Sequence, residues 1–280
     1  MEFICIMSEI YAFINFRVDE GEIKMEMNNV YCMDNLELLK LIEDNSIDLI
    51  YCDILYNTGK KFKDYEDNLG TPQQAIEWYR PRLVEMKRVL KDTGSIYLQC
   101  DYRLVHYLKV EMDNIFGIDR FKNEIIWHYK RWTGKSNKYQ SLHDNILFYT
   151  KTNTKKYTFN VQLKDYTEGS KKRKEHTLHR FKNGEKYLVT ENKGVPECDV
   201  WCDIPFIPPS SRERVGYDTQ KPKALLKRII KASSNEGNVV ADFFCGSGTS
   251  MVVAKELDRQ YIGCDINPRA VEITNERLNN

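Results

Sequence analysis

Two glycines in the run Asp242-Phe243-Phe244-Cys245-Gly246-Ser247-Gly248-Thr249 carry the sharpest chemical signal of the chain. Glycine lets a backbone turn tightly and approach a ligand because no Cβ stands in the way, and a helix starting at Thr249 would offer unpaired N–H groups. Such a turn suits a nucleotide-like or carboxylate-bearing ligand. Roughly twenty residues further on, the run QYIGCD ends at Asp265, where an acidic residue can accept hydrogen bonds from ribose hydroxyls. The third glycine of a dinucleotide fingerprint is absent, and no phosphate-binding lysine follows Gly248. A ribose-bearing ligand without phosphates remains, set against the plainer reading that Gly-x-Gly only turns a strand into a helix.

The elements that must hold this turn alternate along the chain. From Asn29 the pattern predicts a strand NVYCMD, a helix from Leu36 to Ile42, and an apolar strand from Ile47 to Cys52 that ends at Asp53. Thr71-Pro72 starts a helix running to Leu90, which Pro81 is expected to kink or split. Gly94 opens the strand SIYLQC, and a helix follows from Tyr102 to about Ile115. Between about Lys130 and Pro209 the periodicity is lost, and basic, polar and aromatic residues interleave with turn signals at Asn183-Gly184 and Pro208-Pro209. Regular order returns with a helix from Lys221-Pro222 to about Ser233, the strand NVVADF, the glycine turn, a helix from Thr249, the strand QYIGCD and a last helix from Pro268. Alternation of this kind implies an α/β fold with parallel strands joined by helical crossovers.

Composition narrows the partners. Over 280 residues, 42 Lys+Arg nearly cancel 41 Asp+Glu, so the whole chain gives no polyanion signal. The distribution does: from Arg120 to Lys186 there are roughly 17 basic and about 6 acidic residues, which marks the middle as a polyanion-binding insertion. Cys52, Cys100 and Cys264 lie in apolar strand-like runs as small buried hydrophobes, so a reducing cytoplasm is expected. No apolar run approaches membrane-span length, and the opening residues lack the basic start and cleavage site of a signal peptide, so no membrane partner is expected.

The run Asp242 to Thr249 resembles the S-adenosylmethionine loop of the DNA amino-methyltransferases, and Thr219-Gln220-Lys221-Pro222 resembles the segment preceding that loop in the same family. A second family signature, Asp/Asn/Ser-Pro-Pro-Tyr at a strand end, is similar to Asp53-Ile54-Leu55-Tyr56, with both prolines replaced. The resemblance covers nearly everything from Asn29 onward, including Gly94-Ser-Ile-Tyr-Leu, Glu124-Ile-Ile-Trp127-His-Tyr129 and His143-Asp144-Asn-Ile-Leu-Phe-Tyr.

That resemblance implies a doubly wound, mostly parallel, seven-stranded Rossmann-like sheet with a late antiparallel strand. Residues 1–28 would be an N-terminal extension, 29–129 the catalytic half, 130–209 a target-recognition insertion and 210–280 the cofactor-binding half. S-adenosyl-L-methionine would be the cofactor, held by Asp242, Phe243, Phe244, Cys245, Gly246, Ser247, Gly248, Thr249 and Asp265, with Lys221 and Asp34 beside them. Because the tetrad precedes the cofactor loop, the order resembles the permuted β arrangement, which would lay the strand ending at Asp34 beside the one ending at Asp265.

The chemistry explains why the outer tetrad residues matter. The lone pair of a base amino group is delocalised into its ring, so two acceptors must bind its N–H groups and turn the lone pair toward the sulfonium methyl. In this reading Asp53 and the carbonyl of residue 54 are those acceptors, and Tyr56 stacks on the extruded base. In-line transfer then needs positioning and charge complementarity, without a covalent enzyme intermediate or a metal. Ile54-Leu55 keeps the carbonyl but loses the fixed φ values of proline and adds two N–H groups, which loosens the loop. Asp at the head of the tetrad favours adenine N6.

Alternatives stay open: a catalytically weak DNA-binding relative, a cytosine N4 enzyme, or a methyltransferase of RNA or a small molecule. Double-stranded DNA is the implied partner, and a homodimer and a cognate restriction endonuclease are further candidates that the sequence leaves undecided. Lys155-Lys156 and Lys171 to Lys174, with Tyr157, Phe159, Tyr166 and Phe181, could line a groove for phosphates and unstacked bases, or be a solvated loop. His176, His179, Cys198 and Cys202 lack the usual close-paired spacings of a zinc site. Trp127, Trp132 and Trp201 read as packing residues.

Overall fold

The computed structural model describes residues 16–19, 22–63, 65–131, 134, 135, 137–154, 156–166, 168, 169, 179–182, 185–188 and 194–280. The chain forms two compact units, residues 1–159 with 199–280, and residues 160–198. The smaller unit carries an antiparallel pair, Leu163–Lys164 with Val195–Pro196, and a hairpin of His179–Lys182 with Glu185–Leu188.

The larger unit is built on one sheet. Its strands are β1 (Asn29–Cys32), β2 (Ile47–Asp53), β3 (Leu90–Cys100), β4 (Phe121–His128), β5 (His143–Thr150), β6 (Val200–Trp201), β7 (Val239–Asp242) and β8 (Gln260–Asp265). Across the sheet they run β6-β4-β5-β3-β2-β7-β8-β1. Every described pairing is parallel except the two made by β5. Central strands such as β2 and β7 are covered on both faces, which is why IDLIYCD and VVAD read as near-continuous apolar runs. As the permuted order implies, β1 lies beside β8, with Cys32 opposite Asp265.

Two details differ from expectation. The sheet has an eighth strand, the two-residue β6, added where Trp201 pairs with Trp127 at the edge. The antiparallel strand is not late in the chain but is β5, in its middle and inside the 130–209 stretch read as insertion. The chain's last two strands, β7 and β8, instead fill the space between β2 and β1.

The helices are α1 (Asn35–Leu41), α2 (Pro72–Val89), α3 (Val105–Phe116), α4 (Lys223–Ser233), α5 (Thr249–Glu256) and α6 (Pro268–Asn279). Strand residues alternate between two cores. Ile50, Cys52, Ile96 and Leu98 pack with α1, α2 and α3, whereas Leu49, Tyr51 and Tyr97 pack with α4, α5 and α6.

Helix α2 starts at a capping box, in which the Gln74 amide donates to Thr71 Oγ1 (3.3 Å) and the Thr71 amide to Gln74 Oε1 (2.8 Å). Of the kink or split expected at Pro81, the split does not occur, and α2 runs through Pro81 as one element. An interior proline costs about 3 kcal/mol. Burial of Ile76, Tyr79, Leu83, Met86 and Val89, each apolar side chain contributing about 1.5–3 kcal/mol, outweighs that cost. Among the described residues, no helix is long and apolar enough to cross a membrane.

Candidate active site

Strand β2 delivers Asp53 to the carboxyl edge of the sheet, and the loop that follows is fixed residue by residue. The Ile54 amide, which a proline would lack, donates to the Gln99 carbonyl (3.2 Å) and prolongs the β2–β3 pairing. The Leu55 carbonyl accepts from the Tyr79 hydroxyl (2.9 Å). Asp67, itself buried, accepts from the amides of Asn57 (2.8 Å) and Thr58 (3.0 Å) and from the Thr58 hydroxyl (2.6 Å). Asn57 adopts φ 55°, a conformation asparagine tolerates, and its side chain bridges Leu69 and Gly70. Stiffness that the sequence reading assigned to the missing prolines is supplied here by hydrogen bonds.

Both oxygens of Asp53 are occupied. Oδ1 accepts from the Tyr56 hydroxyl (2.8 Å), and Oδ2 is paired with the Lys221 ammonium. Burial raises the Asp53 carboxyl above its ordinary range, against the opposing charge of Lys221. The Tyr56 hydroxyl also faces Asp144 Oδ2 (3.0 Å), and its phenol is held far above its usual range by burial and by the charges of Asp144 and Asp53. Asp144, buried at the start of β5, further accepts from Gln99 Nε2 (2.9 Å) and the Tyr129 hydroxyl (3.0 Å).

On the neighbouring strand β7, Asp242 shapes the glycine turn. Its Oδ1 accepts from the Phe244 amide (3.0 Å) and its Oδ2 from the Ser250 hydroxyl. Burial pushes this carboxyl up to about 7. Gly246 has φ 50°, and its amide donates to Asp265 Oδ2 (2.9 Å), whose Oδ1 accepts from the Asn267 amide (2.9 Å). Gly248 has φ 71°, and a Cβ there would lie 2.2 Å from Thr274 Cγ2, so only glycine fits where the turn enters α5.

Asp34 caps α1 by accepting from the Leu36 amide (2.8 Å) and pairs with Arg82 (2.9 Å). Arg82 also donates to Asn35 Oδ1 (2.6 Å), lies 3.4 Å over the Trp78 ring, and thus braces Asn35, whose side chain donates to the Phe243 carbonyl (3.0 Å).

One cavity of about 590 Å³ joins these parts, within the range of small-molecule sites. It is lined by every residue assigned from sequence to catalysis or cofactor binding except Gly248. In its wall Lys221, expected among the cofactor residues, pairs with Asp53 and lies 5.4 Å from the Tyr56 ring centroid. Trp78 and Ile266, unassigned from sequence, also line the wall.

Lys155, Lys171 to Lys174, His176, Asn183, Gly184 and Trp132 lie outside the described residues, as do the side chains of Phe181 and His179. Phe159 stacks on Phe148 of the sheet (centroids 5.9 Å apart) and meets Tyr157 at 6.4 Å, so these two rings are anchored to the larger unit. Trp127 and Trp201 are buried packing residues. Cys198 and Cys202 form no disulfide, and the Lys164 ammonium lies 3.5 Å from Cys198 Sγ.

An open α/β sheet with a glycine turn and a carboxylate at adjacent strand ends is the arrangement of a Rossmann-like nucleotide-binding domain. The sequence profile of the N6/N4 DNA methylase family matches residues 47–276, and the chain belongs to that family. It is 36% identical to the Type II methyltransferase M.HpaI of Haemophilus parainfluenzae, over 88% of this chain and 73% of the relative. It is 35% identical to the DNA adenine methyltransferase YhdJ of Escherichia coli K12, over 88% and 80%. Among solved structures, the cytosine-N4-specific PvuII DNA methyltransferase superposes with a TM-score of 0.64 at 15% identity, covering 91% of this chain and 87% of that one. The M1.HpyAVI–SAM complex superposes at 0.56 and 20% identity, over 90% and 99%. These likenesses concern the fold.

Proposed function

We propose that the chain transfers a methyl group from S-adenosyl-L-methionine to the exocyclic amino group of an extruded DNA base, with adenine N6 as the target. The observation that carries this reading is that Asp53 and the turn around Gly246 end adjacent strands and open on one cavity. The cavity fits the cofactor by chemistry: carboxylates of Asp34 and Asp265 with lone pairs to spare for hydroxyls, and aromatic surface from Trp78 and Phe244. When bound, the cofactor supplies an electrophilic methyl group.

The chain's residues do the rest. Asp53 accepts one N–H of the target amino group, and the Ile54 carbonyl, on which no described residue donates, accepts the other. Tyr56 lends its ring face to the base. Because Tyr56 and Lys221 each hold one Asp53 oxygen, the arriving amino group competes with one of them for that oxygen's lone pairs. Adenine is favoured by the aspartate heading the tetrad and by the likeness to an adenine methyltransferase.

The test is to incubate the protein with methyl-labelled cofactor and DNA of mixed sequence, then digest and identify the labelled nucleoside. N6-methyladenine is the expected product, N4-methylcytosine would correct the base, and label confined to RNA, or found in no polymer, would refute the reading.

A further inference from the structure

Asp144 is a buried acidic residue in a strand whose next six residues are also buried, and it does not line the cavity. Three donors converge on it: Gln99 and the Tyr56 hydroxyl at Oδ2, and the Tyr129 hydroxyl at Oδ1. Gln99 is in turn fixed, accepting from the Tyr51 hydroxyl at 2.7 Å. The Tyr56 hydroxyl has one hydrogen and two carboxylates within reach, Asp53 at 2.8 Å and Asp144 at 3.0 Å. With Asp53 as its only acceptor, Tyr56 would compete with a base amino group for that oxygen.

We infer that Asp144 is a positioning residue for methyl transfer: it holds the Tyr56 hydroxyl from behind, so that Tyr56 can release Asp53 Oδ1 to the substrate amino group without its ring moving. The inference rests on the proposed function and assigns the step at which the tetrad changes partners. Only a hydrogen bond is exchanged. The phenol proton turns from one carboxylate to the other, and the oxygen positions already satisfy both geometries.

Asn at 144 keeps the shape but leaves one acceptor oxygen for three donors and adds donors of its own. A misplacement of about an ångström in a reacting group costs on the order of a hundredfold in rate. Asp144→Asn should therefore lower the single-turnover rate at saturating DNA by about ten- to a hundredfold. Because Asp144 lies outside the cavity, cofactor affinity should stay within about twofold, where 1.4 kcal/mol would be tenfold. In a Tyr56→Phe background, Asp144→Asn should cost almost nothing further, since residues acting through one another are non-additive.

An unchanged rate, a full second loss in the Tyr56→Phe background, or a collapse of cofactor binding would each overturn the inference. Failure of the methyltransferase reading is separable. If the unaltered protein labels no DNA, the geometry is still read by 13Cζ-tyrosine NMR of the full chain without cofactor or DNA. The Tyr56 resonance, assigned through Tyr56→Phe, should shift in Asp144→Asn. No shift would overturn the inference whatever the activity.

Discussion

Lys221 and Asp53, 168 residues apart in sequence, form an ion pair in the cavity shared by the Asp53–Tyr56 loop and the glycine turn. Both side chains are largely buried, at 14% and 17% exposure, so the pair is poorly screened by solvent. Burial raises the Asp53 carboxyl, and Lys221 opposes that rise. Replacing Lys221 with Met leaves burial opposed by the Tyr56 hydrogen bond alone. An Asp53 that must be ionised to accept an N–H then loses function as pH falls through its raised value. The acid limb of the pH–rate profile should therefore move to higher pH in Lys221→Met, with a larger loss at pH 6 than at pH 8. A limb that stays in place would show that Lys221 does not govern Asp53.

Gly248→Ala should be severe. The substitution meets both a left-handed backbone and the Thr274 side chain, within 2.2 Å of the added carbon. Left-handed strain alone costs about 1–2 kcal/mol per residue, and the contact adds to it. Melting experiments should show a drop of at least that size, and calorimetry should show cofactor affinity falling with it.

The two missing prolines can be restored separately. Leu55 has no acceptor for its amide among the described residues, whereas the Ile54 amide is bonded to Gln99. Leu55→Pro should be tolerated and could stabilise by about 0.4–1 kcal/mol through the unfolded chain. Ile54→Pro loses a hydrogen bond worth roughly 1 kcal/mol. Methyl-transfer rates should change less than about tenfold in Leu55→Pro, a difference of 1.4 kcal/mol in barrier. A larger gain would show the natural loop to be slack.

Asp242 links stability to pH. Its folded value of about 7 exceeds that of an exposed carboxyl, so the folded state binds the proton more tightly than the unfolded chain. Its contribution to stability is present at low pH and is lost as pH rises toward 7. Asp242→Asn removes that ionisation while keeping an acceptor for the Phe244 amide. Relative to the unaltered protein, the variant should gain thermal stability between pH 4 and pH 7 and level off above. These limits follow from a carboxyl of about 4 unfolded and about 7 folded. A difference in melting temperature that does not vary with pH would refute this.

Much of the site was legible because its signals are local. Glycine spacing, a strand ending in Asp53 and another ending in Asp265 each lie within a few residues, and the alternation of elements put them on one sheet edge. The split expected at Pro81 does not occur: local propensity says nothing of the core that α2 covers. The pairing of Lys221 with Asp53 and the bracing of the glycine turn by Arg82 through Asn35 depend on residues that meet only in three dimensions. The sequence carries one hint of Asp144: a charge heading the apolar run of β5. Stiffness at Ile54-Leu55 was missed because it comes from Gln99, Tyr79 and Asp67, none of which belongs to the signature.

The direction of β5 has a consequence of its own. In a sheet whose other strands all point one way, functional groups gather where chains leave the sheet, and starting residues face the far rim. A single reversed strand breaks that rule. With Asp144 opposite Trp127 and Asn145 opposite Cys100, the beginning of β5 arrives at the rim where its neighbours finish. Reversal gives the tetrad a carboxylate from an entering chain, at a height no co-directional neighbour could reach with its first residues.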